Sequence, residues 1–151
     1  MFISRHTLNE ILRVIGTHPI ESGGIIGCVN NTICAFAFDS NYTSTFEYIP
    51  NVQHLNDVIG KWNSQGISFC GLVHSHLFGF NYPSKSDREY AQLLYETNSC
   101  VRKMYFPIVT INDNNSIQID FYQYAVDKKD FIKLQMCQNK LQANRYLLKE
   151  M

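Results

Sequence analysis

Residues 67–76, ISFCGLVHSH, constrain the fold of this chain more than any other stretch. The run follows Gly66 and is apolar on both faces until it reaches two histidines, the pattern of a strand buried inside a sheet. Such a strand needs a neighbour on each side and helices above and below it. The rest of the sequence supplies them.

A first helix is expected from Thr7, which forms a capping box with Glu10, to a stop at Gly16, with Leu8, Ile11, Leu12 and Ile15 on one face. ESGGIIGCV (residues 21–29) and TICAFAFD (residues 32–39) read as strands joined by a turn at Asn30-Asn31. A loop to Pro50 leads into a helix over Val52–Ser64, with Leu55, Ile59 and Trp62 aligned. After the histidine strand, the spacing predicts a helix over Ser84–Thr97. A hairpin of MYFPIVTI and SIQIDFYQY follows, then a last helix over Lys128–Lys149 with Leu134, Cys137, Leu141 and Leu148 on one side. The order αββαβαββα implies an α/β fold, a mixed β-sheet sandwiched by helices, with residues 1–151 forming one domain.

Charge argues against some partners. Lys plus Arg and Asp plus Glu number 13 each, so the formal net charge is zero. A protein that binds by neutralising phosphates carries a basic surplus, and nucleic acid is therefore not expected. No apolar stretch has the length of a membrane span, and the opening MFISRHTLNE lacks the apolar run of a signal peptide. The five cysteines (Cys28, Cys34, Cys70, Cys100 and Cys137) form no C-x-x-C pair and are read as free thiols, which places the chain in the cytoplasm.

The chemistry concentrates in HSHLFGFNYPSKSD, residues 74–87. Side chains two apart on a strand share a face, so His74 and His76 present two imidazoles to one side of the sheet. Alone, that pair is as readily a bland strand end as a pair of metal ligands. Asp87 shifts the balance. It lies on one helical stripe with Ala91 and Leu94, beside Tyr90, and if that stripe faces the sheet the carboxylate points inward. A buried carboxylate needs a partner, and a divalent cation offsets its burial best. The competing reading makes Asp87 the reciprocal member of a surface cap at Ser84. Two nitrogens and one oxygen would leave a fourth tetrahedral position for water, the arrangement of a catalytic zinc. A fourth protein ligand would close the site; Cys70 stands two pleats from His74 and His54 reads as a surface or packing histidine of the preceding helix, while His6 and His18 carry no pattern.

H-x-H, seven residues, then S-x-x-D resembles the metal signature of the JAMM (JAB/MPN) metalloproteases, and His74, His76, Ser84 and Asp87 match it without a gap. The family has an upstream glutamate before small residues, and ESGGIIG at residues 21–27 is similar to it. The order of elements agrees with the JAB1/MPN fold, which is related to the cytidine deaminase fold. One departure is Leu77, where the family usually has proline after the second histidine.

The resemblance implies one zinc ion per chain, held by His74, His76 and Asp87. It implies Glu21 as the general base acting on water, and Ser84 as a donor to the developing oxyanion. It further implies hydrolysis of the peptide or isopeptide bond after the tail of a ubiquitin-like protein, whose precursors or conjugates would be the partners. It leaves open a non-catalytic MPN scaffold and a peptidase acting on a sulfur-carrier protein. Phe78, Phe80 and Tyr82 in the loop after His76 either meet a protein substrate or fold back into the core.

Overall fold

The computed structural model describes residues 1–18, 20–40 and 48–135. In chain order its elements are β1 (Phe2–Ile3), α1 (Arg5–Val14), β2 (Gly23–Val29), β3 (Thr32–Phe38), α2 (Val52–Ser64), β4 (Ser68–His76), α3 (Lys85–Thr97), β5 (Ile108–Ile111), β6 (Ile117–Asp120), β7 (Tyr122–Ala125) and β8 (Asp130–Lys133). Six strands form one sheet in the order β1-β3-β2-β4-β5-β6, and β7 pairs with β8. The sheet is mixed: β1 with β3 and β4 with β5 are parallel, and the other pairs are antiparallel. The histidine strand β4 is interior, as its two apolar faces require.

Alternation along the strands sorts the core into two layers. Ile26, Val73 and Val109 join Ile11 of α1 and its C-cap Ile15 on one face. Ile25, Leu72 and Ile108 join Leu55 and Trp62 of α2 and Ala91 of α3 on the other. Because Leu72 points to the side of α2 and α3, His74 and His76, two and four residues on, point there too. That parity delivers the imidazoles to the helix that carries Asp87.

Four expectations need correction. The first helix starts earlier than the Thr7–Glu10 box implies: Ser4 is the N-cap, its hydroxyl accepting from the Thr7 N–H at 3.1 Å. The Ser4 N–H is in turn tied to the Ile33 carbonyl, so the chain leaves β1 already committed to the turn.

The expected hairpin after α3 forms as β5 and β6, but each of its strands is shorter than expected. Pro107 has no N–H to give the ladder, and β5 begins after it, with Tyr105 making isolated bridges to Gly71 and Gln123. SIQIDFYQY divides at Phe121, β6 pairing with β5 and β7 with β8.

Residues 128–133 are not helical. Lys129 takes a positive φ of 51° in the turn after β7, and β8 returns antiparallel. Phe131 then packs edge-on against Phe106, Tyr122 and Tyr124, which anchors that strand. The remainder of the expected last helix, from residue 136, lies outside the described residues.

Cys28 and Cys70 are joined in a disulfide rather than free, with Cα atoms 5.9 Å apart. The β2–β4 register slips between Ile26 and Gly27, so that Cys70 is the extra residue on β4 and its side chain turns toward Cys28. Cys100 is free and exposed. No helix among the described residues is long and apolar enough to cross a membrane.

Candidate metal centre

β4 ends by presenting His74 and His76, both buried. Their Nε2 atoms lie 2.9 Å apart, with ring centroids at 4.7 Å. Across from them, the first turn of α3 supplies Asp87. Its Oδ1 is 3.1 Å from His74 Nε2, and its Oδ2 is 3.3 Å from His76 Nε2.

Ser84 starts that helix and explains why Asp87 stays in place. The Ser84 hydroxyl accepts from the Asp87 N–H at 3.1 Å, and Asp87 Oδ2 accepts from the Ser84 N–H at 2.6 Å. Cap and inward-facing carboxylate are therefore one arrangement, not the alternatives that the sequence suggested. Ala91, fully buried one turn on, and Leu94 hold the same face of α3 against the core.

Among the described residues, His74, His76 and Asp87 are the one group of histidine, cysteine and acidic side chains that could hold a metal ion. The donor set fits. Ligands at about 2.0–2.1 Å from a tetrahedral zinc stand about 3.3 Å from one another; here the imidazole nitrogens are 2.9 Å apart, one Asp87 oxygen is 3.1 Å from His74 and the other 3.3 Å from His76, and one ligand atom from each residue can be chosen with all three within 4.8 Å of one another. Burial opposes the charged form of Asp87, yet hydrogen bonds with His74 and His76 and with the Ser84 amide hold its carboxyl far below the ordinary carboxylate range.

Glu21 stands just before β2 and senses all three of these groups. Burial pushes its carboxyl above the ordinary range, against lowering by His76, by the Leu77 backbone amide and by His74; the Asp87 charge adds to the rise. Gly23 pairs with His74 across the sheet. A side chain at Gly23 would collide with the Tyr48 ring, which is fixed by donating to Asp39 Oδ2 at 3.0 Å. Asp39 is itself buried and also accepts from the Asn51 N–H at 2.7 Å. No spacing pattern in the sequence links this third carboxylate to the histidines.

Phe78, Phe80 and Tyr82 are 76%, 55% and 57% exposed, so they lie on the surface and not in the core. Phe78 and Gly79 both have positive φ, which turns the loop sharply as it leaves His76. The Tyr122 hydroxyl donates to the Asn81 carbonyl and ties down the far end of the loop. A groove of about 590 Å³ adjoins this loop, with Leu77, Phe78, Ile111 and Asn112 in its walls. His54 lies in the first turn of α2, its N–H donating to the side chain of the N-cap Asn51.

No protein-family model and no curated protein matches the sequence. Solved structures match by shape. A JAB1/MPN domain protein from Archaeoglobus fulgidus is 20% identical over 90% of this chain and 96% of its own, with a TM-score of 0.53. A structure described as JAMM, a metalloprotease-like zinc site in the proteasome and signalosome, is 18% identical over 90% of this chain and 94% of its own, with a TM-score of 0.50. A protein from Salinibacter ruber is 18% identical over 93% of this chain and 92% of its own, with a TM-score of 0.63. The mixed sheet with helices on both faces is the JAB1/MPN fold, and His74, His76 and Asp87 form a JAMM-like triad on it.

Proposed function

We propose that this chain, built on the JAB1/MPN fold, is a zinc-dependent metallo(iso)peptidase that cuts the peptide or isopeptide bond after the C-terminal tail of a ubiquitin-like protein. One observation carries this reading. Two imidazole nitrogens and a carboxylate converge to within 3.3 Å of one another, with Glu21 close enough to feel their charges. The shared fold with a metalloprotease-like zinc site supports it.

His74, His76 and Asp87 would hold the zinc and leave one position open. Zinc, when bound, supplies Lewis acidity and brings the pKa of a coordinated water toward neutrality. Glu21 takes a proton from the attacking water on its carboxylate and returns it to the nitrogen of the departing amine. The Ser84 hydroxyl uses a lone pair for the cap, which leaves its proton for the developing oxyanion. The exposed Phe78, Phe80 and Tyr82 beside the centre offer an apolar surface of the kind that grips a protein substrate.

Incubation with ubiquitin-like fusions ending in Gly-Gly tests the proposal. Cleavage directly after the second glycine, abolished by a zinc chelator and restored by zinc, is the expected result. No cleavage of any such fusion by zinc-loaded protein would contradict it.

A further inference from the structure

Glu21 lies outside the β-ladder, which ends at the Gly23–His74 pair. A base poised over a metal has to be aimed: the Leu77 backbone amide bonds the Glu21 carboxylate itself, and the chain end that carries it must be fixed as well. Two hydrogen bonds beyond the ladder fix that chain end. The Ser75 N–H donates to the Ser22 carbonyl at 2.9 Å. The Ser75 hydroxyl accepts from the Ser22 N–H at 3.0 Å, and lies 3.4 Å from the Ser22 carbonyl to which it can donate. Ser22 and Ser75 are both fully buried. The Ser22 hydroxyl has no partner, so it is the Ser22 peptide, and not its side chain, that is anchored. On the other side of Glu21, His18 Nδ1 stands 3.2 Å from the Ile20 carbonyl. Glu21 is thus bracketed.

We propose that Ser75 is a positioning residue: its hydroxyl stands in for the ladder carbonyl that β4 does not offer, fixes the Ser22 peptide, and so aims the Glu21 carboxylate. Residues of β4 then alternate in task. His74 and His76 face the metal position, while Ser75 between them faces the opposite layer and holds the arm that carries the base. The inference rests on the reading of Glu21 as the general base, but the clamp can be tested without it.

The test compares wild type, Ser75→Ala and Ser75→Thr as zinc-loaded full chains. Threonine keeps the hydroxyl and is at home in a strand. Exchange of the Ser22 amide, followed by NMR, is expected to quicken at least about tenfold in Ser75→Ala and to return in Ser75→Thr, since a hydrogen bond worth about 1–1.5 kcal/mol is lost and regained. With a Gly-Gly fusion as substrate, kcat is expected to fall about tenfold or more in Ser75→Ala. KM should change less than about twofold and zinc content should not change, and Ser75→Thr should recover kcat. If Ser75→Ala does not fold, Ser75→Cys replaces it, being close in volume but a weak acceptor. Unaltered Ser22 protection, unaltered kcat, or a kcat loss that threonine does not repair would each overturn the proposal. If wild type cleaves no fusion, the hydrolase reading fails, while amide exchange still decides whether Ser75 holds Ser22.

Discussion

Ser84 and Asp87 bind each other twice, each backbone N–H donating to the other's side chain, and the same Asp87 oxygen that accepts from Ser84 stands 3.3 Å from His76. The cap is therefore the device that orients the ligand. A helix N-terminus also favours the ionised carboxylate, so the start of α3 fixes Asp87 in both direction and charge.

Ser84→Ala should lower stability by about 1 kcal/mol, the usual cost of an N-cap. If the hydroxyl also serves the oxyanion, turnover of a Gly-Gly fusion should drop by about 10²–10³, the range for one such donor. Urea denaturation and single-substrate kinetics separate the two effects. A stability loss with unchanged kcat would confine Ser84 to the cap.

Gly71 sits in the slipped part of β4 with φ of 148°, against Tyr105. A Cβ there would overlap the Tyr105 carbonyl. Gly71→Ala should cost roughly 3 kcal/mol or more, from strain and displaced backbone together. Equal urea midpoints for variant and wild type would show that β4 and the Tyr105 segment do not meet as described.

Removing the Cys28–Cys70 bond should cost about 3–4 kcal/mol, given the 42 residues it spans. Thermal melts of wild type with and without reductant, beside Cys28→Ser/Cys70→Ser, provide the measurement. A reductant that shifts wild type but leaves the double variant unmoved is the expected pattern. Identical melts in all four samples would mean that the bond does not form.

Glu21 yields a prediction with a definite sign. Its folded-state pKa is raised, so the folded, metal-free protein holds that proton more tightly than the unfolded chain does. Stability is then lost as pH rises from the unfolded value through the folded one. Metal-free Glu21→Gln should match wild type at pH 3.5 and exceed it slightly at pH 7, by less than about 1 kcal/mol. With zinc supplied, the variant should bind metal as wild type does and fail to hydrolyse. Unchanged turnover would remove Glu21 from the role of base.

Much of the architecture is legible in the residues because it follows from local periodicity. The Val52–Ser64 helix comes from apolar spacing and α3 from spacing and the Ser84 cap, the β2–β3 turn from Asn30-Asn31, and the meeting of His74 and His76 with Asp87 from strand parity and the helical stripe that Asp87 shares with Ala91 and Leu94. What escaped depends on contacts distant in sequence. Ser4 outcompetes Thr7 as a cap because Ile33 holds the chain beside it. DFIK becomes β8 because Phe131 finds three aromatic rings, which override a pattern that also suits a helix. Cys28 reaches Cys70 only through the register slip. Asp39 has no motif at all; its importance lies in Tyr48 and Asn51 being folded onto it.

The most direct measurement is the zinc content of purified wild type and Asp87→Ala after loading with zinc and removal of excess. Wild type should retain one zinc per chain, and Asp87→Ala well under half of that while staying folded. Metal-free wild type, or an Asp87→Ala variant that holds zinc as wild type does, would contradict a centre built from two imidazoles and this carboxylate.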